Sequence, residues 1–133
     1  MRLIKLTSAL LLFIPLAVMS KEVPKYSSAY TKCISSNVAD PMSTSCVDSE
    51  ISAQSKEIAE IAGKHKDIVS PENGEPVDLH LYATQQQSAI DNKCSLWLKS
   101  GGQNGILLEK QCALDEVISL KRLLSNFVST VDD

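Results

Sequence analysis

The sequence predicts an all-α protein: a small antiparallel helical bundle of three long helices and one short one, stapled by two disulfides. Three observations predict it. Apolar residues recur in alternating steps of four and three over long stretches, the period of a single helix face. No stretch alternates apolar and polar residues for long enough to make a strand, and no internal repeat is present. Four cysteines, Cys33, Cys46, Cys94 and Cys112, give an even count in a chain of 133 residues, the mark of a disulfide framework in a small exported domain.

Export is read from the first element. MRLIKLTSALLLFIPLAVMS carries two cations, Arg2 and Lys5, then an apolar run from Leu6 to Val18, and closes on Val18-Met19-Ser20. That is the layout of a secretory signal peptide, with an apolar core too short for a membrane span. The alternative, an uncleaved anchor, is disfavoured by the polar KEVPKYSS that follows. Cys33 is too far along for lipid attachment at the cut. Residues 1–20 are therefore the expected signal peptide and 21–133 a single helical domain, periplasmic or secreted, with no stable membrane insertion after cleavage. Removal of Arg2 and Lys5 leaves 11 basic residues against 16 acidic, a net charge of −5. With no basic stripe and no aromatic platform, nucleic acid is not an expected partner.

The short helix is expected in YSSAYTKCISSNV, ending near Asn37. In the long element that follows, Asp40 offers a cap and Pro41 suits the first helical position. Val47, Ile51, Ile58, Ile61 and Ile68 form its stripe, with Gln54 and His65 filling the gaps. Gly63 weakens this helix and SPENGEP ends it. The next helix is expected from the capping residue Asp78 to about Lys99, with Leu79, Ala83, Gln87, Ile90, Cys94 and Trp97 on one face. Gly101 and Gly102 read as its C-cap and Asn104 as the cap of the last helix. Ala113, Val117, Leu120, Leu124 and Phe127 are in register on that last helix, which runs to about Val131.

The cysteines bear on whether the protein does chemistry. No pair has the spacing of a zinc knuckle, neither histidine is at ligand distance from a cysteine, and no Cys-x-x-Cys is present. Four cysteines allow three pairings, and the residues alone leave all three open. Position about the turns favours Cys33–Cys46 with Cys94–Cys112: Cys94 precedes Gly101 by seven residues and Cys112 follows Gly105 by seven, as across an αα-hairpin. Trp97 then reads as packing on that clasp. GGQNG lacks the lysine and hydroxyl of a phosphate loop. His65 reads as a partly buried residue, His80 as exposed, and Asp115/Glu116 and Asp132/Asp133 as solvated carboxylates. No catalytic residue, metal ligand or cofactor is expected, and the protein is read as a non-enzyme.

Cys33, Met42, Cys46, Asp91, Cys94, Gly101, Gly102 and Cys112 together resemble the LprI-like lysozyme-inhibitor family, over about Cys33 to Leu124. That family has a tryptophan and an arginine shortly before its third cysteine, where this chain has Gln86 and Ile90. Its Leu-Asn and tyrosine after the second cysteine have no counterpart in KEIAEIAGKH. Fold and disulfides carry over by this resemblance; a specific binding surface does not. It implies an envelope protein that binds and blocks a basic peptidoglycan-cleaving enzyme or toxin, toward which an acidic chain would be steered. The segment to test first for entry into the partner is Ser70, Pro71, Glu72, Asn73, Gly74, Glu75 and Pro76, whose two prolines limit the entropy lost on binding; read otherwise, it is a plain acidic surface linker. The alternative is a disulfide-stapled interaction module of the envelope without inhibitory activity. A contiguous exposed apolar patch would favour that alternative, and an acidic projecting loop the inhibitor.

Overall fold

The computed structural model describes residues 25–36 and 43–131. The expected signal peptide, the Asp40–Pro41 helix start and the Asp132/Asp133 tail lie outside the described residues. Four α-helices follow in order: α1 (Ser28–Ser36), α2 (Ser45–Lys64), α3 (Leu79–Cys94) and α4 (Gly102–Val131), with a 3₁₀ helix, Ser95–Ser100, between the last two. Among the described residues no strand is present, only one antiparallel bridge between Val69 and Pro76.

Cross-bundle pairs give the directions. Lys110 meets Asp48 at 3.0 Å and Lys121 meets Glu57 at 3.0 Å, so α2 and α4 run parallel. Lys93 reaches Glu116 at 2.7 Å and Cys94 is bonded to Cys112, so α3 runs antiparallel to α4. The core lies between these three helices, with Ile58, Leu79, Ile90, Val117, Leu120 and Leu124 all at most 7% exposed. No described helix is long and apolar enough to cross a membrane.

Local chemistry sets the helix ends. Asp78 caps α3 as expected, its carboxylate accepting from Leu81 N–H at 2.9 Å. Thr44 stands before α2, so that helix begins at Ser45 rather than near Asp40. The Thr44 hydroxyl donates to Asp48 at 2.8 Å, and Asp48 in the first turn suits the positive end of the helix. Burial pushes the Asp48 carboxyl up, but the bonds from Thr44 and Lys110 outweigh it and hold it below its ordinary value.

Three expectations need correction. The helix expected to run to Lys99 ends at Cys94, and the tighter 3₁₀ winding turns Trp97 out to 45% exposure. A 3₁₀ helix advances about 120° per residue against about 100° in an α-helix, so three residues past Cys94 the stripe has drifted by roughly 60°. Trp97 therefore lies off the stripe that carries Cys94 and is partly open to solvent. Asn104 lies inside α4, not at its cap, because the two glycines at positive φ, Gly101 (76°) and Gly102 (66°), make the whole reversal. On α2 the fully buried residues are Cys46, Glu50, Gln54, Ile58 and Ala62; Ile51 and Ile61 are only partly buried, and Val47 lies off that line.

Both disulfides of the structure follow the hairpins: Cys33–Cys46 and Cys94–Cys112, with Cα separations of 5.7 and 5.6 Å. α1 has no buried residue, so a hydrophobic face does not hold it. It is fixed by the first disulfide and by Glu50. That carboxylate, 2% exposed, accepts from Ser27 N–H at 2.8 Å, from the Ser27 hydroxyl at 2.5 Å and from Gln54 Nε2 at 2.7 Å. Ser27 in turn accepts from Tyr30 N–H at 3.1 Å and so opens α1.

Candidate functional site

The two ends of the bundle differ in chemistry. At one end the chain leaves α2 at His65 and enters α3 at Leu79, about 22 Å along α3 from Cys94. Between them the SPENGEP segment forms a closed loop. Ser70 N–H donates to Glu75 O at 2.8 Å, Gly74 N–H to Ser70 O at 2.8 Å and Val77 N–H to Ile68 O at 2.9 Å. The Asn73 side chain accepts from Glu75 N–H at 3.0 Å, the local bond that favours asparagine in turns. Gly74 has φ 72°, where any other L-residue is strained. Pro71 through Pro76 are all exposed and Ser70 is half-buried. The seven residues singled out in the sequence thus form one projecting, hydrogen-bonded unit presenting Glu72 and Glu75.

An apolar groove starts where this loop ends. Val77, Leu79, Tyr82, Leu123, Leu124 and Phe127 line a concavity of about 310 Å³ between α3 and α4. Leu79 and Leu124 are buried and form its floor, while Leu123 is 51% and Tyr82 37% exposed. Sequence periodicity missed it because Tyr82 and Leu123 each lie one residue off the core stripe. The available signal was Leu123, an apolar residue beside the stripe and four before Phe127 on it.

The opposite end carries the clasp. The 3₁₀ helix exposes Leu96, Trp97 and Leu98 (65, 45 and 47%), with Ile106 of α4 also open to solvent. This tip is rigidly backed. Gly105 is buried so closely that a Cβ would meet the Trp97 carbonyl oxygen at 2.8 Å, and the Ser100 hydroxyl donates to that same carbonyl at 2.6 Å.

The remaining candidates are structural. Glu50 is pushed up by burial, but its bonds from Ser27 and Gln54, with Lys121 nearby, prevail and hold it below its ordinary value. Gln54, which fills a gap in the apolar stripe of α2, uses its amide N–H on Glu50; its Oε1 has no protein partner among the described residues. Asp115 is not simply solvated. Lys25 bonds it at 2.6 Å and the Tyr26 hydroxyl at 3.4 Å, tying the start of the described chain to α4. Glu116 pairs with Lys93. His80 is exposed, and His65 is half-buried at the end of α2, its backbone N–H donating to Ile61 O at 3.3 Å. Among the described residues no three His, Cys, Asp or Glu side chains are grouped to hold a metal.

Fold and surfaces define a class: a disulfide-stapled helical protein with an exposed acidic loop, an apolar groove and an exposed apolar tip. Comparison with known proteins makes the assignment specific. The model of the antitoxin TsiV3 family matches residues 40–133, all of α2, α3 and α4, and the chain belongs to that family. It is 29% identical over 89 residues to antitoxin protein TsiV3 of Vibrio cholerae serotype O1, a stretch covering 66% of each chain. The chain thus spans a little under two thirds of that relative's length. No solved structure matches it. The family is of the immunity type, which is the coarser part of the resemblance carried by the cysteine layout; the matching family is TsiV3 and not specifically the LprI-like one.

Proposed function

We propose that this protein is an exported antitoxin that binds a lysozyme-like, peptidoglycan-cleaving toxin and blocks it without catalysis of its own. Membership of the TsiV3 family across α2–α4 carries the reading: it supports a toxin as the partner. The target class rests on the LprI-like layout of Cys33, Cys46, Asp91, Cys94 and Cys112, and export on the expected signal peptide. The Ser70–Pro76 loop is the element assigned to the partner. It is acidic, exposed and already ordered by its own backbone bonds, so little entropy is lost on docking. A chain of net charge −5 after cleavage would be steered toward a basic muramidase.

The test is a titration of the processed chain against purified muramidases and amidases, following release of soluble peptidoglycan, beside a pull-down from periplasm. Stoichiometric inhibition of a muramidase is expected, with affinity reduced at least tenfold by the double change Glu72→Lys, Glu75→Lys. Failure to inhibit any member of the panel would sink the target class. Unchanged binding by the charge-reversed variant would sink the loop assignment. Export is checked by sequencing the N-terminus of protein recovered outside the cytoplasm, expected to begin at Lys21.

One observation favours the second reading, a docking module of the envelope without inhibition. Leu96, Trp97 and Leu98 are all exposed at the tip, and exposed apolar surface larger than isolated residues marks interaction sites. Under that reading the chain would bind an envelope component through the tip and leave every hydrolase in the panel active.

A further inference from the structure

We propose that the groove between α3 and α4 receives an apolar side chain projecting from a basic surface of the same toxin, so that loop and groove form one interface. The inference rests on the toxin-binding reading above and extends it from one loop to a two-part site.

Continuity is the first argument. Val77, which lines the groove, follows Pro76 directly, and its N–H is bonded to Ile68 O across the base of the loop. A partner seated on the loop therefore overhangs the groove. Charge is the second. Between His65 and His80 the chain carries four carboxylates, Asp67, Glu72, Glu75 and Asp78, against one lysine, Lys66. Arg122, beside Leu123 on α4, offsets that sign without reversing it. An occupant framed by lysine or arginine is complemented here, and an acidic one is repelled.

Shape and exposure supply the third argument. About 310 Å³ lies at the small end of ligand pockets, roughly 300–1,000 Å³, and suits insertion of a side chain better than burial of a large ligand. The floor, Leu79 and Leu124, is part of the core and so is rigid, whereas Tyr82 and Leu123 stand at the rim with surface left to bury. This arrangement, an apolar centre beside a polar, charged border, is that of an interface hot spot with its rim.

The two parts have separable kinetic signatures. Charges at the border govern encounter, and apolar contacts formed after docking govern how long the complex lasts. The experiment measures association and dissociation rates for the full processed chain on immobilised muramidases and amidases of the panel, at two salt concentrations. The variants are Tyr82→Ser, Leu123→Ser and the Glu72→Lys, Glu75→Lys pair. Because Tyr82 and Leu123 are surface residues, thermal unfolding of their variants should stay within a few degrees of the parent, which separates binding loss from misfolding. Each groove variant should raise the dissociation rate about tenfold or more and leave the association rate and its salt dependence unchanged. The charge-reversed variant should do the opposite.

Groove variants with the parent's dissociation rate would overturn the proposal even if inhibition holds. Should a non-hydrolase toxin bind with these same signatures, the groove inference stands and the target class fails. If Leu123→Ser instead converts a dimer of this chain to a monomer in sedimentation, a second copy occupies the groove and the toxin does not. A chain that captures no toxin of any class loses the assigned occupant, and the inference with it.

Discussion

At the clasp end a covalent bond joins α3 to α4, a buried glycine lets backbone approach backbone, and Leu96, Trp97 and Leu98 stand exposed beside it. The loop end has no covalent link; it is closed by backbone hydrogen bonds and by Ile68 and Val77 packed on the core, and part of its apolar surface lies in a groove. One end places its strongest constraint in the covalent structure and the other in turn chemistry: Asn73 for the local bond, Gly74 for φ 72°. In a small domain stability and recognition need not share residues, and the proposed recognition surface lies about 22 Å along α3 from the clasp. If the loop and groove bind the toxin as proposed, the clasp can be altered for stability and they for binding, each nearly independent of the other.

The largest expected effect breaks the clasp. Replacing both Cys94 and Cys112 by serine frees a connection with a sequence separation of 18, which the chain-entropy estimate values at about 3 kcal/mol. In a domain of this size that lowers the melting temperature on the order of 15 °C. Toxin affinity measured well below that temperature should stay within about twofold of the parent. A tenfold loss of affinity in the still-folded variant would show that the two ends are coupled and undo the comparison.

How much of this division was legible depends on which physical signal each residue carries. The α3 face, Leu79, Ala83, Ile90 and Cys94, and the α4 face through Leu124 follow the helical period, because each meets the same core along its whole length. The Asp78 cap and the turn at Gly101 were legible for local reasons, a side-chain acceptor and a positive φ. Three features were not. Glu50 is charged, and periodicity assigns charge to solvent; only α1 folding back over α2 gives its carboxylate the Ser27 donors that make burial tolerable. The 3₁₀ winding after Cys94 depends on how α4 packs against it, with Gly105 under the Trp97 carbonyl, a contact between residues eight apart that no local pattern encodes. The loop was legible as a loop from its prolines, glycine and acids, but its closure by Ser70–Glu75 and Val77–Ile68 bonds required the structure. The groove was hidden because its rim residues lie one step beside the stripe.

A smaller effect sharpens the role of the buried carboxylate between the two ends. Glu50 in the folded chain sits below its ordinary value of 4.5, so at acid pH the unfolded chain binds more protons than the folded one. Its stabilisation is complete above 4.5 and is lost as pH falls through the lowered folded value. Glu50→Gln keeps the shape, removes the charge and weakens the bonds from Ser27, at a cost of about 1–2 kcal/mol near neutral pH. Denaturant titrations from pH 7 downward should show the parent losing stability below about pH 4.5 and the variant losing less, so that the two curves converge in acid. Parallel curves would mean that Asp48 and Asp115, also held low, carry the acid sensitivity and Glu50 does not. Loop-end binding should be unaffected, since Glu50 anchors α1 at Ser27 and lines neither the loop nor the groove.

The smallest expected effect is at Trp97, and it decides between the two ends as recognition surfaces. Trp97 is the single tryptophan of the chain, so its fluorescence reports on the clasp end alone. It is 45% exposed and lies off the core, so Trp97→Ala should change stability by less than about 0.5 kcal/mol, as surface substitutions do. If toxin binds at the loop and groove, saturating muramidase that lacks tryptophan should leave the Trp97 emission maximum in place, and Trp97→Ala should bind like the parent. A blue shift on complex formation, together with an affinity loss of tenfold or more in Trp97→Ala, would move recognition to the tip. The rigid backing from Gly105, Ser100 and the disulfide would then serve to hold a tryptophan anchor in place, and the acidic loop would be reduced to steering.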